Sequence, residues 1–545
     1  MSERNGLRYG LVGLIVIALI AGLVLFVSRP AAEPEAAAPA PAPQRAARLL
    51  RFNKPYGVLS QFTPEGADRI AAAPEAPAPA PAPAQPAAAE NAAPTGLQSL
   101  AEAAGKAPSH RKLNIQQWQT AEGARVLFVE AHELPMFDLR LTFAAGSSQD
   151  GDTYGLAMLT NAMLNEGVPG KDTSAIAAGF DDLGANFGNG SYRDMAVASL
   201  RSLSEPTKRD AALALFDQVI GQPTFPEDAL ARIKNQVMAG FEYQKQNPGK
   251  LAGLELFKRL YGDHPYAHSS DGNEKSVPRI SVAQLRAFHQ KAYAAGNVVI
   301  ALVGDLTREQ AEAIAGSVSK SLPKGPALPA PGEPQTPKAG VTHIEFPSKQ
   351  TQLMLAQLGI TRNDPDYAAL YLGNQILGGG GFGTRLMDQV REKRGLTYGV
   401  YSGFTGMQSR GPFTIGLQTR AEMSEGTLKL VQDIVRDYLD KGPTQKELDD
   451  AKRELAGSFP LSTASNADIV GQLGAIGFYN LPLDYLETFL SQVQGLSVEQ
   501  VKEAMRRHLD PDAFVIVTAG PTVPQQPLPP PTDKPAAQPA GVPEH

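Results

Sequence analysis

The chain has no cysteine, a single tryptophan and only eight histidines among 545 residues, and 19% of it is charged. Without cysteine there is no disulfide framework, zinc ribbon, iron–sulfur cluster or thiol nucleophile. A formal net charge of −6 argues against a nucleic-acid surface. Proline is plentiful but uneven: of 45, 14 stand in residues 30–97 and 9 in residues 521–545. These stretches are mostly Ala, Pro, Gln and Glu, too poor in apolar surface to offset chain entropy, and are expected to be disordered. Setting them and the N-terminus aside leaves about 420 residues, enough for two domains of about 200 each.

Residues 9–28 (YGLVGLIVIALIAGLVLFVS) carry no charge; Arg4 and Arg8 precede them and Arg29 follows. A run of this length spans a bilayer as a helix, and the basic N-tail favours export of everything beyond it. Segment 1–29 is thus a single-pass inner-membrane anchor, or alternatively a cleaved signal peptide, with the globular part in the periplasm. Segment 30–108 reads as a Pro/Ala-rich spacer. Within it, residues 48–66 (RLLRFNKPYGVLSQFTPEG) resemble the opening strand and turn of ribosomal RNA pseudouridine synthases, with nothing downstream to continue that domain.

The body repeats a plan. Strand-like runs at 125–129 and 138–144 lead to a periodic helix at 155–165 and a second around 174–183. A strand at 195–203, helical stretches across 208–292 and a closing apolar strand at 297–304 (NVVIALVG) follow. The second half gives a strand at 352–357, a helix at 367–377 and strands at 398–403 and 411–418. Helices within 424–509 and a closing strand at 513–518 (AFVIVT) complete it. The expectation is an α+β chain of two tandem homologous domains, 109–321 and 341–520. A Pro-rich connector at 322–340 joins them, and a disordered tail at 521–545 follows.

Three phrases identify the relatives. GSSQDGDTYGLAMLTNAML, LYGDHPYAHSSDG and LGGGGFGTRLMDQVREKRGLTYGVYSGF resemble the pitrilysin/insulinase (inverzincin) zinc peptidases, which include the mitochondrial processing peptidase. The resemblance spans roughly 110–520 and implies half of a clamshell peptidase. Active members carry H-x-x-E-H on the first helix of the N-terminal domain, where two His grip Zn²⁺ and the Glu activates its water. Against that motif this sequence sets Met158 and Ala162 at the His positions and Asn161 at the Glu. After 76 intervening residues, Ala239 stands where a third ligand is due. None of the four suits a hydrolytic zinc site. His264 and His268 are four apart, but Pro265 between them breaks a regular helix face.

The same resemblance implies a retained element. Arg391 and Tyr398 match by spacing the family's C-terminal-domain pair, which holds the substrate carbonyl as it becomes tetrahedral. One such oxyanion donor is commonly worth about 3–4 kcal/mol. The run Gly378, Gly379, Gly380, Gly381 with Phe382 reads either as an inter-helix turn or as a loop whose backbone contacts extended peptide. It lacks the ending of a phosphate loop. The expectation is a non-zinc subunit, binding no metal itself, that pairs with a zinc-bearing H-x-x-E-H homologue and takes peptide or unfolded-protein substrates. The alternatives are a catalytically silent scaffold of the same family and an independent peptidase with a rebuilt metal site.

Overall fold

A computed structural model describes residues 112–532. The apolar run 9–28, the spacer and the stretch 48–66 lie outside the described residues. Among those described, no helix is long and apolar enough to cross a membrane.

The first half runs β1 (Gln116–Gln119), β2 (Arg125–Glu130), β3 (Met136–Phe143), α1 (Leu156–Ala162), a two-residue ladder of β4 (Gly167–Val168) and β5 (Lys171–Asp172), and α2 (Thr173–Asp182). It continues through β6 (Asn186–Ser191), β7 (Ala196–Leu203), α3 (Pro206–Gly221), α4 (Glu227–Lys245), α5 (Pro248–Tyr261), α6 (Val282–Ala292), β8 (Val298–Gly304) and α7 (Arg308–Ser321). The second half holds β9 (Gly340–Glu345), β10 (Gln350–Leu358), α8 (Tyr367–Asn374), β11 (Val400–Phe404) and β12 (Pro412–Arg420). There follow α9 (Ser424–Lys441), α10 (Gln445–Ser458), α11 (Asn466–Phe478), α12 (Tyr485–Gly495), α13 (Val498–His508) and β13 (Val515–Gly520).

The duplication is visible in the sheets. The first has order β1-β2-β8-β3-β7-β6; the second, read from its β9 edge, is β9-β13-β10-β12-β11. In each, the closing strand pairs parallel with the opening one (β8 with β2, β13 with β9) and antiparallel with the next (β3, β10). Within these two sheets β1 is the strand without a counterpart, and the β4–β5 ladder also has none among the described residues. β8 (VVIALVG) and β13 (VIVTAG) are buried at every position, which is why both sequences are apolar without alternation.

Each half lends a helix to the other. α5 packs on β10 and β13, burying Ala252, Leu256 and Leu260 against Met354, Ala356 and Val517. Its counterpart α11 packs on β2, β3 and β8 of the first sheet. Gly477 makes that approach feasible, since a Cβ there would stand 2.4 Å from Val299 Cγ1. Polar contacts fix the seam: Arg125 Nη1 donates to Asn480 Oδ1 (2.7 Å), and the Gln408 amide to Asp194 Oδ2 (2.8 Å).

Several boundaries depart from expectation by a few residues. The first helix stops at Ala162 rather than 165. The helix expected over 367–377 is α-helical only to Asn374 and continues as a π-helical turn, Gln375–Gly379. The strand expected from Tyr398 starts at Val400, because the Thr397 hydroxyl donates to the Gly399 carbonyl and turns the chain first. Residues 521–532, expected as disordered tail, are hydrogen-bonded along the second domain.

Candidate functional site

The first helix is aimed by a buried carboxylate. Asp150 accepts from the amides of Gly155 (2.8 Å) and Ala157 (2.7 Å), and His268 Nε2 lies 3.2 Å from it. Negative charge at a helix start satisfies the orphan donors there. The helix then presents three of the four residues of interest, and α4 the fourth, all in unsuitable states. Met158 is buried in an apolar cluster with Leu159, Met163, Ile233, Val237 and Phe241. Asn161 is buried, and its Nδ2 donates to the Val197 carbonyl (3.2 Å) and to Tyr293 Oη (3.1 Å). Its own carbonyl accepts from Asn189 Nδ2 (2.6 Å). Ala162 is half-buried against the same cluster, and Ala239 lies on the exposed face of α4. That face lines a groove with Asp228, Arg232 and Asn235. A thioether in the core, a carboxamide committed to internal partners and two methyl groups do not fit zinc. Tyr293 is fully committed as well, and burial pushes its hydroxyl far above its ordinary range.

Among the described residues, Asp364, Asp366 and His508 bring ligand atoms within 4.8 Å of one another. Asp366 is already held by Arg507 (2.9 Å) and His508 Nε2 (3.0 Å), and Asp364 Oδ1 accepts the Asp366 amide. This trio fastens the start of α8 to the end of α13.

A second constellation is assembled on the surface of the other half. Arg391 sits in the π-helical turn Met387–Glu392. Its guanidinium carbon is 4.6 Å from the Phe382 ring centroid and 4.7 Å from that of Tyr398. Both rings are open to solvent, Phe382 at 63% and Tyr398 at 75%. Stacking on two aromatic faces orients the cation without a strong ion pair, its nearest carboxylate contact being Glu392 at 3.6 Å. Three residues singled out from sequence thus meet in space.

The glycine run divides. Gly378 and Gly379 are buried, and a Cβ on Gly378 would stand 2.6 Å from both Leu386 Cδ1 and Ser402 Oγ. Gly378 is thus closely packed and Gly379 is buried beside it, away from the exposed part of the run. Gly380 is half-buried, while Gly381 (φ +81°) and Gly383 (φ +90°) bracket Phe382 with left-handed turns that push its ring outward. The stacking of Phe382 on Arg391, nine positions apart, has no periodic signal in the sequence.

A model described as "Insulinase (Peptidase family M16)" matches residues 125–271, and one described as "Peptidase M16 inactive domain" matches residues 279–455. A relative from Helicobacter pylori, named "Non-peptidase homolog YmxG", is 30% identical over 71% of this chain and 89% of its own length. The chain belongs to the M16 peptidase family. Another M16 relative, "Uncharacterized zinc protease YmxG" of Bacillus subtilis, is 22% identical over 75% of this chain and 98% of its own. The crystal structure of a peptidase M16 inactive domain from Pseudomonas fluorescens superposes with a TM-score of 0.75. It is 75% identical, covering 76% of this chain and all of that one. A protease structure from Helicobacter pylori shares the fold (TM-score 0.70) at 17% identity.

Proposed function

We propose that this M16 chain is catalytically silent by itself and works by binding. The observation that carries this reading is Asn161. Where the family's general base is due, a buried amide is bonded to Val197 and Tyr293, beside a Met158 sunk in the core. The names of the Helicobacter relative and of the Pseudomonas structure support the same reading. The test is a peptidase assay on the purified full-length chain with zinc present. Turnover of unfolded protein is expected to equal that of a buffer control. Chelator-sensitive cleavage that survives repurification would overturn the reading.

A second reading is favoured by the exposed Arg391–Tyr398 pair. Here the chain is the non-zinc half of a membrane-tethered heterodimer and faces the periplasm, with the run 9–28 as anchor. The zinc and the Glu belong to an H-x-x-E-H partner. Arg391 and Tyr398 reach across and hold the scissile carbonyl as it becomes an oxyanion, stabilising the transition state above the ground state. Mixing the two chains is expected to give cleavage that neither shows alone. Turnover unchanged by Arg391→Ala and by Tyr398→Phe would remove this role and leave the scaffold.

A further inference from the structure

β13 ends at Gly520, but the chain does not leave the domain there. The Thr522 hydroxyl donates to Glu345 at the end of β9 (2.6 Å). Gln525 Nε2 donates to the Ala421 carbonyl (3.0 Å), and its Oε1 accepts the Glu425 amide (3.1 Å) in the first turn of α9. The Gln526 amide follows with a bond to the Glu422 carbonyl (2.8 Å). Leu528 packs against the main core at Gly426, where a Cβ would come within 2.9 Å of it. Finally the Thr532 amide donates to the Lys393 carbonyl (2.9 Å), with its hydroxyl at 3.3 Å from the same oxygen.

Lys393 lies between Arg391 and Tyr398. The segment therefore runs from the last strand, across the start of α9, to the loop that joins the two members of the exposed pair. Its sequence, PTVPQQPLPPPT, is half proline. Proline fixes φ near the extended polyproline value and donates nothing, so the segment loses little chain entropy on being held. Three of its remaining amides, on Thr522, Gln526 and Thr532, make the anchoring bonds.

The loop it reaches leaves the π-helical turn with the Lys393 amide on the Asp388 carbonyl (2.9 Å), Lys393 Nζ on Asp388 Oδ2 (2.7 Å) and Arg394 Nη1 on the Gln389 carbonyl (2.8 Å), and Leu396 is buried in the main core. The Gly395 amide bonds the Arg391 carbonyl (2.8 Å), the Leu396 amide that of Val390 (3.0 Å), and the Leu396 carbonyl accepts the Thr419 hydroxyl (2.7 Å). Beyond Leu396 only the Thr397 turn intervenes before Tyr398.

We propose that residues 521–532 are a strap that holds the 393–398 loop in place, with Thr532 and Leu528 as positioning residues for the Arg391–Tyr398 pair. The consequence for ligand affinity rests on the binding role given to that pair above; the holding itself does not. The strap makes the presentation of Arg391 and Tyr398 depend on a C-terminal segment well removed in sequence.

Hydrogen–deuterium exchange on the full-length chain tests it, comparing wild type with Thr532→Pro and Leu528→Ser. Thr532→Pro removes both donors to Lys393 from an exposed position; Leu528→Ser lifts the strap's one apolar anchor. The amides of Lys393, Gly395 and Leu396 are expected to exchange at least about fivefold faster in each variant, while those of β10 stay as they were. Unchanged exchange at 393–396 in both variants would overturn the strap. Binding of a carboxymethylated unfolded protein is measured in parallel. Faster loop exchange with weaker binding supports the strap as a positioning device. Faster exchange with no binding even by wild type keeps the strap and removes the peptide-binding role of the pair.

Discussion

The guanidinium of Arg391 stacks on the ring of Tyr398 at 4.7 Å, and that ring is three-quarters exposed. An arginine held this way is oriented before any ligand arrives, and it carries five N–H donors. Fixed donors beside a phenolic hydroxyl suit a carbonyl or a carboxylate.

Because this cluster lies outside the core, its removal spares the fold. Arg391→Ala loses two exposed cation–π contacts, each worth about 0.5–1 kcal/mol, and Tyr398→Phe loses only a hydroxyl that faces solvent. Melting temperatures within about 4 °C of wild type are expected for both. Affinity for an unfolded polypeptide, read by fluorescence anisotropy, is expected to fall for Arg391→Ala and less for Tyr398→Phe. Equal affinity in all three would separate the cluster from binding.

Asn161 makes the opposite prediction. Replacing it with Ala strands a buried Tyr293 hydroxyl and the Val197 carbonyl, costing about 1–3 kcal/mol. Asn161→Asp is expected to cost more, since it points a carboxylate at that carbonyl in a buried place. Urea denaturation followed by circular dichroism ranks the three. Were Asp as stable as Asn, the amide would not be the structural element described above.

The glycine run offers a test in which two identical substitutions part company. Gly378→Ala drives a methyl to 2.6 Å from Leu386 and Ser402, both buried, and to 3.1 Å from the Ser402 amide nitrogen. Overpacking of this kind costs about 1–3 kcal/mol. Gly381→Ala meets open space but must hold φ at +81°, a strain of about 1 kcal/mol. The first variant is therefore expected to melt lower, and the second to alter ligand binding through Phe382. The reverse order would contradict the division of the run into a packed and an exposed part.

How far the sequence foretold this structure depends on which physical signal each element leaves. β8 and β13 announced themselves as apolar runs, and the order of elements betrayed the duplication. The exchange of α5 and α11 did not show, because an amphipathic face reads the same whichever sheet it covers. Gly474 and Gly477 in α11, where a Cβ would meet Arg140 and Val299 of the first sheet, were not singled out in the sequence. The change from α- to π-helix after Asn374 has no compositional signature. At the site, Arg391 and Tyr398 were found through family spacing, whereas Phe382 joined them only through backbone turns at Gly381 and Gly383. The strap was hidden by its composition: proline-rich chain reads as disorder until its few amides are seen to be used.

The seam between the halves carries a pH dependence of definite sign. Burial raises the carboxyl of Asp194 to about 6, against the opposing bonds from Tyr266 Oη, the Gln408 amide and the charge of Arg193. Asp271 is likewise raised to about 6 by burial, with Arg193 and Lys250 pulling the other way. An unfolded Asp titrates near about 3.9. Between about pH 4 and 6 the folded chain therefore holds protons that the unfolded chain has released. The stabilisation is complete below the unfolded value and is lost as pH rises through about 6, after which it is flat. Glu447, which Arg385 and Thr444 draw down to about 2 against the effect of its burial, acts in a lower window and in the other direction. Comparison with Asp194→Asn isolates the seam: Asn keeps an acceptor for the Gln408 amide but does not titrate. As pH rises from 4.5 to 7, the urea midpoint of wild type is expected to fall relative to that of Asp194→Asn. Parallel midpoint curves would place the pH sensitivity of the fold somewhere other than this seam.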